Sequence, residues 1–356
     1  MEQSFQDFGV EASILQGVND VGYEQPTPIQ REAIPLLIEG RDLLAQSQTG
    51  TGKTAAFAIP LLAKIDSADR AVQALVLVPT RELAVQVAST VHKLGKHKNV
   101  ADLPIYGGQP IDVQLRALRR GVQVVIGTPG RVMDHMRRGT LDLSRVSMVV
   151  LDEADQMLDM GFVDDIEVIL DEVPEGRQIS LFSATIPPRI RTLSQRYMRN
   201  PASISISREH LTVPEVEQRY VETVRNGKLD ALTRILDMEQ PESALVFART
   251  KRETDELGES LSGRGYAAEV IHGDLSQSQR ERAINAFKDK RIDVLVATDV
   301  AARGLDIPNV SHVINYDIPE DPEAYVHRIG RTARAGKTGK AITFVTPRER
   351  ALLKTI

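Results

Sequence analysis

The sequence predicts an α/β protein with two tandem domains, each a mostly parallel sheet flanked by helices. The chain has 356 residues, more than one hydrophobic core usually organises. Short apolar segments typical of buried strands alternate with segments of helical periodicity through both halves. Between the halves, residues 207–214 are polar and have no long apolar period. We therefore predict domains at 1–206 and 217–356, joined by a linker at 207–216.

Each strand is predicted from a short apolar or β-branched run. In the first half these runs lie near 42–46, 75–78, 103–106, 122–126, 148–151, 179–182 and 203–206. In the second half they lie near 219–223, 245–248, 268–271, 294–297, 312–315 and 341–345. Helical patterns separate most of them, and this alternation indicates parallel sheets covered by helices.

Composition is that of an ordinary globular protein, with 42% apolar and 26% charged residues. The absence of cysteine excludes disulfides, zinc–cysteine sites and a cysteine nucleophile. No secretory signal pattern and no apolar stretch long enough to span a bilayer is visible, so we expect a cytoplasmic protein without membrane contacts. The net charge of -5 argues against wholesale electrostatic binding of nucleic acid, but it leaves room for a local basic groove.

A glycine-rich segment follows the first predicted strand and precedes a helical stretch at 55–65. In this context, backbone N–H groups hold phosphates, a lysine reaches the terminal phosphates, and a threonine hydroxyl meets Mg²⁺. Ser47 stands where the strict pattern has glycine, yet the segment still predicts nucleotide binding. Its residues are Gln48, Thr49, Gly50, Thr51, Gly52, Lys53 and Thr54.

The apolar run 148–151 leads directly into Asp152, Glu153 and, after one alanine, Asp155. Open α/β sheets bind ligands at the carboxyl ends of their strands. Asp152 is therefore a candidate to hold Mg²⁺, and Glu153 to orient or activate an attacking water. The plain alternative is an acidic helix start, which the helix dipole favours.

Two further patterns allow more than one interpretation. Thr27, Pro28 and Gln30 fit a helix-capping box, but the Gln30 amide could also recognise an adenine edge. Arg328, Arg331 and Arg334 recur every three residues and would share one helix face. Such a cluster suits a solvated face, a nucleic-acid patch, or arginine fingers for a bound nucleotide.

Taken in order, these motifs resemble the DEAD-box ATP-dependent RNA helicases of superfamily 2, and the resemblance covers nearly the whole chain. The resemblance rests on the order and spacing of many motifs. The four residues at 152–155 alone would be weak evidence for it. The matching segments are 22–30, 45–54, 79–84, 107–108, 128–131, 152–155, 183–185, 246–250, 279–282, 297–307 and 327–336.

The resemblance implies two RecA-like domains with ATP and Mg²⁺ in the cleft between them. Gln30 would recognise the adenine, Tyr23 would stack on it, and Phe5 and Gln25 would belong to the same site. Thr54 and Asp152 would hold the metal. Gly304 and Asp306 would approach the nucleotide from the second domain. The implied catalytic residues are Lys53, Asp152, Glu153, Arg331 and Arg334, the two arginines acting as fingers.

The resemblance also implies a groove for single- and double-stranded RNA, lined by hydroxyls, arginines and glycines that suit backbone recognition. Few aromatic residues, 4% of the chain, argue against base stacking. Thr80 and Thr128 would equally serve as helix caps, and Gly107-Gly108 as a turn. The implied RNA-binding residues are Thr80, Arg81, Gly107, Gly108, Thr128, Arg131, Arg249, Thr250, Gly273, Gln279, Arg282, Thr298 and Asp299. Asp155, Ser183, Thr185 and His327 would couple ATP chemistry to domain closure.

We therefore expect a monomeric, RNA-dependent ATPase that separates short RNA duplexes by ATP-driven closure of two domains on one strand. Two alternatives stay open: a DNA-directed helicase with the same pair of domains, and an ATP-gated RNA clamp that does not unwind duplexes. Ala333 stands where many members of the family have glycine. We expect alanine to be a mild change on a helix.

Overall fold

The computed structural model describes residues 4–47, 50–206, 216–302, 310–319, 322–333 and 338–356. The chain divides into two compact units, Met1–Leu211 and Thr212–Ile356. Each unit is built on its own sheet, and in both sheets all paired strands are parallel.

The first unit contains strands β1 Leu43–Gln46, β2 Ala74–Leu77, β3 Asp102–Ile105, β4 Val124–Gly127, β5 Met148–Asp152, β6 Gln178–Ser183 and β7 Ala202–Ser205. Its helices are α1 Ala12–Asp20, α2 Pro28–Ile38, α3 Lys53–Lys64, α4 Arg81–Gly95, α5 Ile111–Arg120, α6 Pro129–Arg137, α7 Ala154–Asp159, α8 Val163–Asp171 and α9 Pro188–Tyr197. The strands pair in the order β3-β4-β2-β5-β6-β1-β7.

The second unit contains β8 Val216–Glu222, β9 Ala244–Phe247, β10 Ala268–Ile271, β11 Val294–Ala297, β12 His312–Asn315 and β13 Gly339–Val345. Its helices are α10 Lys228–Glu239, α11 Lys251–Gly263, α12 Gln277–Lys288, α13 Asp299–Ala302, α14 Pro322–Ile329 and α15 Arg350–Leu353. Here the strand order is β10-β11-β9-β12-β13-β8.

Every predicted strand overlaps an observed one, so the predicted fold class is confirmed. The largest difference is at β8, which begins at Val216 because that residue pairs with Gly339 of β13. The predicted linker therefore contains one strand residue. Its remaining positions, 207–215, lie outside the described residues.

The first sheet separates two hydrophobic cores, because successive side chains of a strand point to opposite faces. Val76 and Val150 belong to the core beneath α1 to α4. Leu75 and Leu151 belong to the core beneath the helices on the other face. Burial on both faces explains why these strands are apolar throughout, as parallel strands usually are.

No helix in the described part of the chain is both long and apolar enough to cross a membrane.

Gly17 lies within α1 at a close approach to α4. A methyl group on Gly17 would come within 2.2 Å of the Leu94 backbone oxygen. Alanine normally stabilises a helix interior by about 1 kcal/mol relative to glycine. Here the clash forces two helices apart, so we expect Gly17→Ala to destabilise the first unit by about 1–3 kcal/mol in urea unfolding.

Gly263, the last residue of α11, is the matched control. A methyl group there would meet no atom within 4 Å. Gly263→Ala should therefore leave stability unchanged or raise it slightly. If Gly17→Ala behaved like Gly263→Ala, the described contact between α1 and α4 would be wrong.

Candidate functional site

The glycine-rich loop between β1 and α3 contains two glycines with left-handed backbone conformations. Gly50 and Gly52 have φ values of 85° and 93°, in the left-handed region that favours glycine. A methyl group on Gly52 would also lie 2.5 Å from the Gln30 side-chain nitrogen. Gly52 is thus required by both conformation and space. Gln48 and Thr49 lie outside the described residues.

Ser47 ties this loop to the neighbouring strand. Its N–H donates to the Ser183 carbonyl at 2.9 Å, and its hydroxyl lies 2.6 Å from the Thr51 hydroxyl. A glycine at this position would lose the second contact. The departure from the strict glycine pattern is therefore accommodated by a hydrogen bond within the loop.

Lys53 is the first residue of α3, and its side chain is buried. Among the described residues, its Nζ has no hydrogen-bond partner. Burial of an ammonium that makes no hydrogen bond is costly, and a helix N-terminus attracts anions. A phosphate at the loop would satisfy both conditions, so the residues present fit a nucleotide.

Asp152 and Glu153 follow at the carboxyl end of β5, which is separated from β1 only by β6. Asp152 is 2% exposed. Burial raises the pKa of its carboxyl to about 6, although the positive charge of Lys53 lowers this pKa. The Glu153 N–H donates to Asp152 Oδ1 at 3.0 Å. Glu153 has φ 51°, a left-handed conformation that costs a non-glycine residue about 1–3 kcal/mol and is concentrated at functional sites.

Asp155 is hydrogen-bonded to the segment after β6. Its Oδ2 accepts from the Ala184 N–H at 3.0 Å, the Thr185 N–H at 2.8 Å and the Thr185 hydroxyl at 3.1 Å. The Asp155 N–H in turn donates to the Ser183 hydroxyl at 3.2 Å. These hydrogen bonds therefore form a rigid connection between the carboxylates after β5 and the segment 183–185.

The Gln30 side chain uses both ends of its amide within the protein. Its Oε1 accepts from the Thr27 N–H at 3.0 Å, which is the glutamine half of the predicted capping box. Its Nε2 donates to the Gly52 carbonyl at 3.1 Å. Gln30 is thus both a helix cap and a support of the phosphate loop.

Of the other residues predicted near the base, Tyr23 and Gln25 are exposed, whereas Phe5 is buried. The Phe5 and Tyr23 rings stack with centroids 6.4 Å apart and planes 25° from parallel. Phe5 therefore supports Tyr23 from beneath. Its own ring offers little surface to a ligand.

The six predicted RNA-binding residues of the first unit follow β2, β3 and β4, which are neighbours in the sheet. The Arg81 guanidinium covers the Gly107-Gly108 turn, because a methyl group on Gly108 would lie 2.1 Å from its Nη1. Burial lowers the pKa of Arg131, and the nearby charge of Arg81 lowers it further. Thr80 caps α4 by accepting from the Leu83 N–H, and Thr128 precedes α6. The structure thus brings two arginines, two threonines and a glycine turn to one edge.

The predicted RNA-binding residues of the second unit lie after β9, β10 and β11, also neighbours. Thr250 and Gln279 participate in helix caps at α11 and α12. Thr298 is buried, and Arg282 is exposed. The Asp299 carboxylate is bound by Arg328 through two contacts of 2.6 Å. The Asp299 carboxylate is therefore engaged within the protein.

The expected helix face of three arginines is wrong, because α14 ends at Ile329. Arg328 is buried and also donates to the Asn315 side chain and the Asp317 carbonyl, so it organises the fold. Arg331 follows the helix, lines the same small cavity as His327, and accepts at its carbonyl from the Val310 N–H.

Ala333 is not on a helix either, contrary to expectation. It is buried, with φ 55°. An alanine there carries a backbone strain that glycine would avoid. Arg334, Gly304 and Asp306 lie outside the described residues.

Sequence reasoning missed a buried polar network beneath the first-unit arginines. Gln114 of α5 and His135 of α6 are both fully buried and share a hydrogen bond of 3.0 Å. Helical periodicity identifies apolar positions and gives no signal for a buried amide.

No group of three or more His, Asp or Glu side chains that could hold a metal occurs in the described parts of the chain. A metal held mainly by phosphates and one carboxylate would leave no such cluster.

Two parallel α/β units, the first with a phosphate loop beside a strand-end Asp-Glu pair, define a protein of the tandem RecA-like class.

Comparison with known proteins agrees with this class. Residues 27–193 match the model of the DEAD/DEAH box helicase family, and residues 227–336 match that of the helicase conserved C-terminal domain. The DEAD-box ATP-dependent RNA helicase CshA of Bacillus cereus is 56% identical over 353 residues, covering 99% of this chain and 67% of that protein. CshA of Bacillus subtilis is 53% identical, covering 100% of this chain and 72% of that protein.

Solved structures are similar as well. Saccharomyces cerevisiae Dbp5 bound to RNA and ADP BeF3 has a TM-score of 0.86 and 36% identity, covering 96% of this chain and 89% of that chain. A DEAD box protein from Methanococcus jannaschii has a TM-score of 0.58 and 45% identity, covering 99% of this chain and 95% of that chain. The chain belongs to the DEAD-box ATP-dependent RNA helicase family.

Proposed function

We propose that this protein hydrolyses ATP and separates short RNA duplexes by closing its two units on one RNA strand. The observation that carries the proposal is the buried Lys53 ammonium, which has no hydrogen-bond partner among the described residues. Its positive charge lowers the pKa of Asp152 against the effect of burial. A triphosphate would supply the hydrogen-bond acceptors that the Lys53 ammonium lacks. Membership of the helicase family makes ATP the nucleotide expected there.

In the proposed reaction, Lys53 neutralises charge on the terminal phosphates, and Glu153 orients the attacking water. Thr54 and Asp152 would hold Mg²⁺, which when bound offsets the negative charge of the phosphates. Arg331 and Arg334 stabilise charge that develops during transfer of the phosphoryl group. The rigid connection between Asp155 and Thr185 supports a role for both residues in coupling ATP chemistry to domain closure. His327 would have a similar role in the second unit.

RNA would bind through its backbone at the strand ends of both units. Arg81, Arg131 and the glycine turn of the first unit form a compact group of donors suited to phosphate oxygens. The RNA-bound Dbp5 structure supports RNA as the ligand of this fold. Closure would hold one strand in a path that a duplex cannot follow. A monomeric core and a cytoplasmic location stay predictions from the sequence.

A strand-separation assay run beside an ATPase assay tests this proposal. We expect RNA to stimulate ATP hydrolysis and ATP to release one strand of a labelled short RNA duplex. Stimulated hydrolysis without strand release would favour the RNA clamp. Strand release from DNA duplexes alone would favour the DNA-directed helicase.

Gln30→Ala tests adenine recognition. A bidentate amide contact to adenine is worth about 1–3 kcal/mol, so we expect the preference for ATP over GTP to fall about tenfold or more. The loss of the Gly52 contact should also weaken binding of both nucleotides. Competition binding of ATP and GTP measures both effects.

Gln279→Ala is the control for Gln30→Ala. Gln279 caps α12 with the Ser276 N–H at 2.9 Å, so it has the same local role in the other unit. It should leave nucleotide preference unchanged. If Gln30→Ala weakened ATP and GTP equally, Gln30 would be only a cap and a support of the loop.

A further inference from the structure

We infer that Gln114 is a positioning residue for RNA binding: it fixes Arg131 and the Gly107-Gly108 turn relative to each other. The inference rests on the proposed RNA function of those residues. It concerns a side chain that lies beneath the predicted groove and touches no ligand itself.

Gln114 occupies an unusual place on its helix. Within α5, Gln114 alone is buried, while the apolar Val113 beside it is 42% exposed. Burial of an amide is unfavourable unless its hydrogen bonds are made inside the protein. A polar residue at the one buried position therefore indicates that its bonds are needed.

The amide of Gln114 makes four hydrogen bonds. Its Nε2 donates to the Tyr106 carbonyl at 3.1 Å and to Gln109 Oε1 at 2.9 Å. Its Oε1 accepts from Arg131 Nη1 at 2.9 Å and from His135 Nε2 at 3.0 Å. These bonds use the full capacity of the side chain.

The Arg131 contact determines which way the amide faces, because a guanidinium can only donate. The Gln114 oxygen must therefore face α6, and His135 must carry a proton on Nε2. The other ring nitrogen, Nδ1, lies 2.9 Å from the Thr140 hydroxyl. Burial lowers the pKa of His135, and the Arg131 charge lowers it further, which favours a neutral ring protonated at Nε2.

The four bonds connect two separate segments of the predicted groove. Tyr106 and Gln109 flank the glycine turn, and the Gln109 carbonyl also accepts weakly from Arg131 at 3.4 Å. The Arg81 guanidinium also packs against Gly108. Removal of Gln114 would therefore leave only the weak Gln109 contact between the turn and Arg131, and it would not touch the phosphate loop.

Gln123 provides a matched control in the same sheet. It is buried and makes three hydrogen bonds, to the Ala101 N–H and to the Ser67 and Asp69 carbonyls. It precedes β4, at the amino-terminal edge, away from every predicted RNA-binding residue of this unit. Its loss should affect stability without altering the groove.

The experiment compares Gln114→Met and Gln123→Met in the full chain, since methionine roughly preserves volume and removes the amide. Affinity for a labelled single-stranded RNA is measured with AMP-PNP and Mg²⁺ present, together with nucleotide affinity and melting temperature. For Gln114→Met we expect the RNA dissociation constant to rise about tenfold, because the hydrogen bonds that hold a charged group are lost. Nucleotide affinity should stay at the parent value. Gln123→Met should lower the melting temperature and leave RNA affinity unchanged.

Unchanged RNA affinity in Gln114→Met, or equal losses in both variants, would overturn the inference. If Gln114→Met does not fold, Gln114→Glu replaces it: it keeps the acceptor for Arg131 but cannot donate to the Tyr106 carbonyl. Gln114→Glu should also weaken RNA binding without changing nucleotide affinity. An RNA affinity at the parent value in this variant would likewise overturn the inference.

Arg131→Ala separates this inference from the proposed function. If Arg131→Ala leaves RNA affinity unchanged, the proposed groove is wrong and the inference falls with it. If Arg131→Ala weakens RNA binding and Gln114→Met does not, only the inference is wrong. In the combined variant, Gln114→Met should add much less than it does alone, because part of its effect passes through Arg131.

Discussion

Glu153→Gln should stop ATP turnover and leave a stable complex with ATP and RNA. A positioned general base contributes about 10²- to 10⁴-fold to the rate, and the amide cannot accept the proton of water. Glutamine has nearly the same shape, and the Glu153 contact to Asp152 is made by the backbone. Nucleotide binding should therefore persist. Steady-state ATPase measurements and RNA binding in the presence of ATP show both effects.

Glu172→Gln is the control for this change, because Glu172 is exposed at the end of α8. It should have the parent ATPase rate. Hydrolysis at the parent rate in Glu153→Gln would mean that the role assigned to Glu153 is wrong. Loss of ATP binding in Glu153→Gln would instead indicate that the substitution disturbs the phosphate loop.

Arg331→Ala should lower the rate of hydrolysis about 10³-fold or more, the contribution usual for an arginine finger. The fold-change should appear in kcat, with little change in ATP affinity, because the finger acts on charge that develops in the transition state. Arg331→Lys should not restore the rate, since a lysine cannot reproduce the planar, bidentate guanidinium. Single-turnover hydrolysis and nucleotide binding are the measurements.

Arg328→Ala supplies the contrast. Arg328 is buried and bound to Asp299, Asn315 and Asp317, so its loss should lower the melting temperature of the second unit. Arg331 is also buried, but its backbone rather than its side chain makes the bond to Val310. Arg331→Ala should therefore lower the melting temperature less than Arg328→Ala does. If Arg331→Ala lost stability as Arg328→Ala does and kept its kcat, Arg331 would be a structural residue.

The sequence predicted the two sheets well for a physical reason. Strands buried on both faces must be apolar throughout, and β5 and β6 are buried along their whole length. The edge strand β8 is mostly exposed. Its sequence pattern is therefore weaker and predicts a start at 219, three residues after the observed start at 216.

The arginine spacing alone predicts too late an end for α14, although Gly330 directly after Ile329 is itself a helix-stop signal. The regular spacing of the arginines is typical of a helix face. However, the chain leaves the helix after Ile329, and Thr332 pairs with Val310 in an isolated bridge. The helix therefore stops short of Arg331.

Of the candidate site, the phosphate loop and the strand-end carboxylates followed from residue chemistry alone. The contact of Asp155 with residues 183–185 followed only from the family resemblance; the structure contains that contact, while its role in closure stays a prediction. The Gln114 network had no signal in the sequence, because its bonds join residues from three segments.

The central claim is that ATP chemistry in this protein is coupled to RNA. The most direct test compares stimulation of its ATPase by single-stranded RNA and by DNA of equal sequence and length. We predict strong stimulation by RNA and little by DNA, because a 2′-OH requirement distinguishes the two backbones. Equal stimulation by both, or stimulation by DNA alone, would contradict the account.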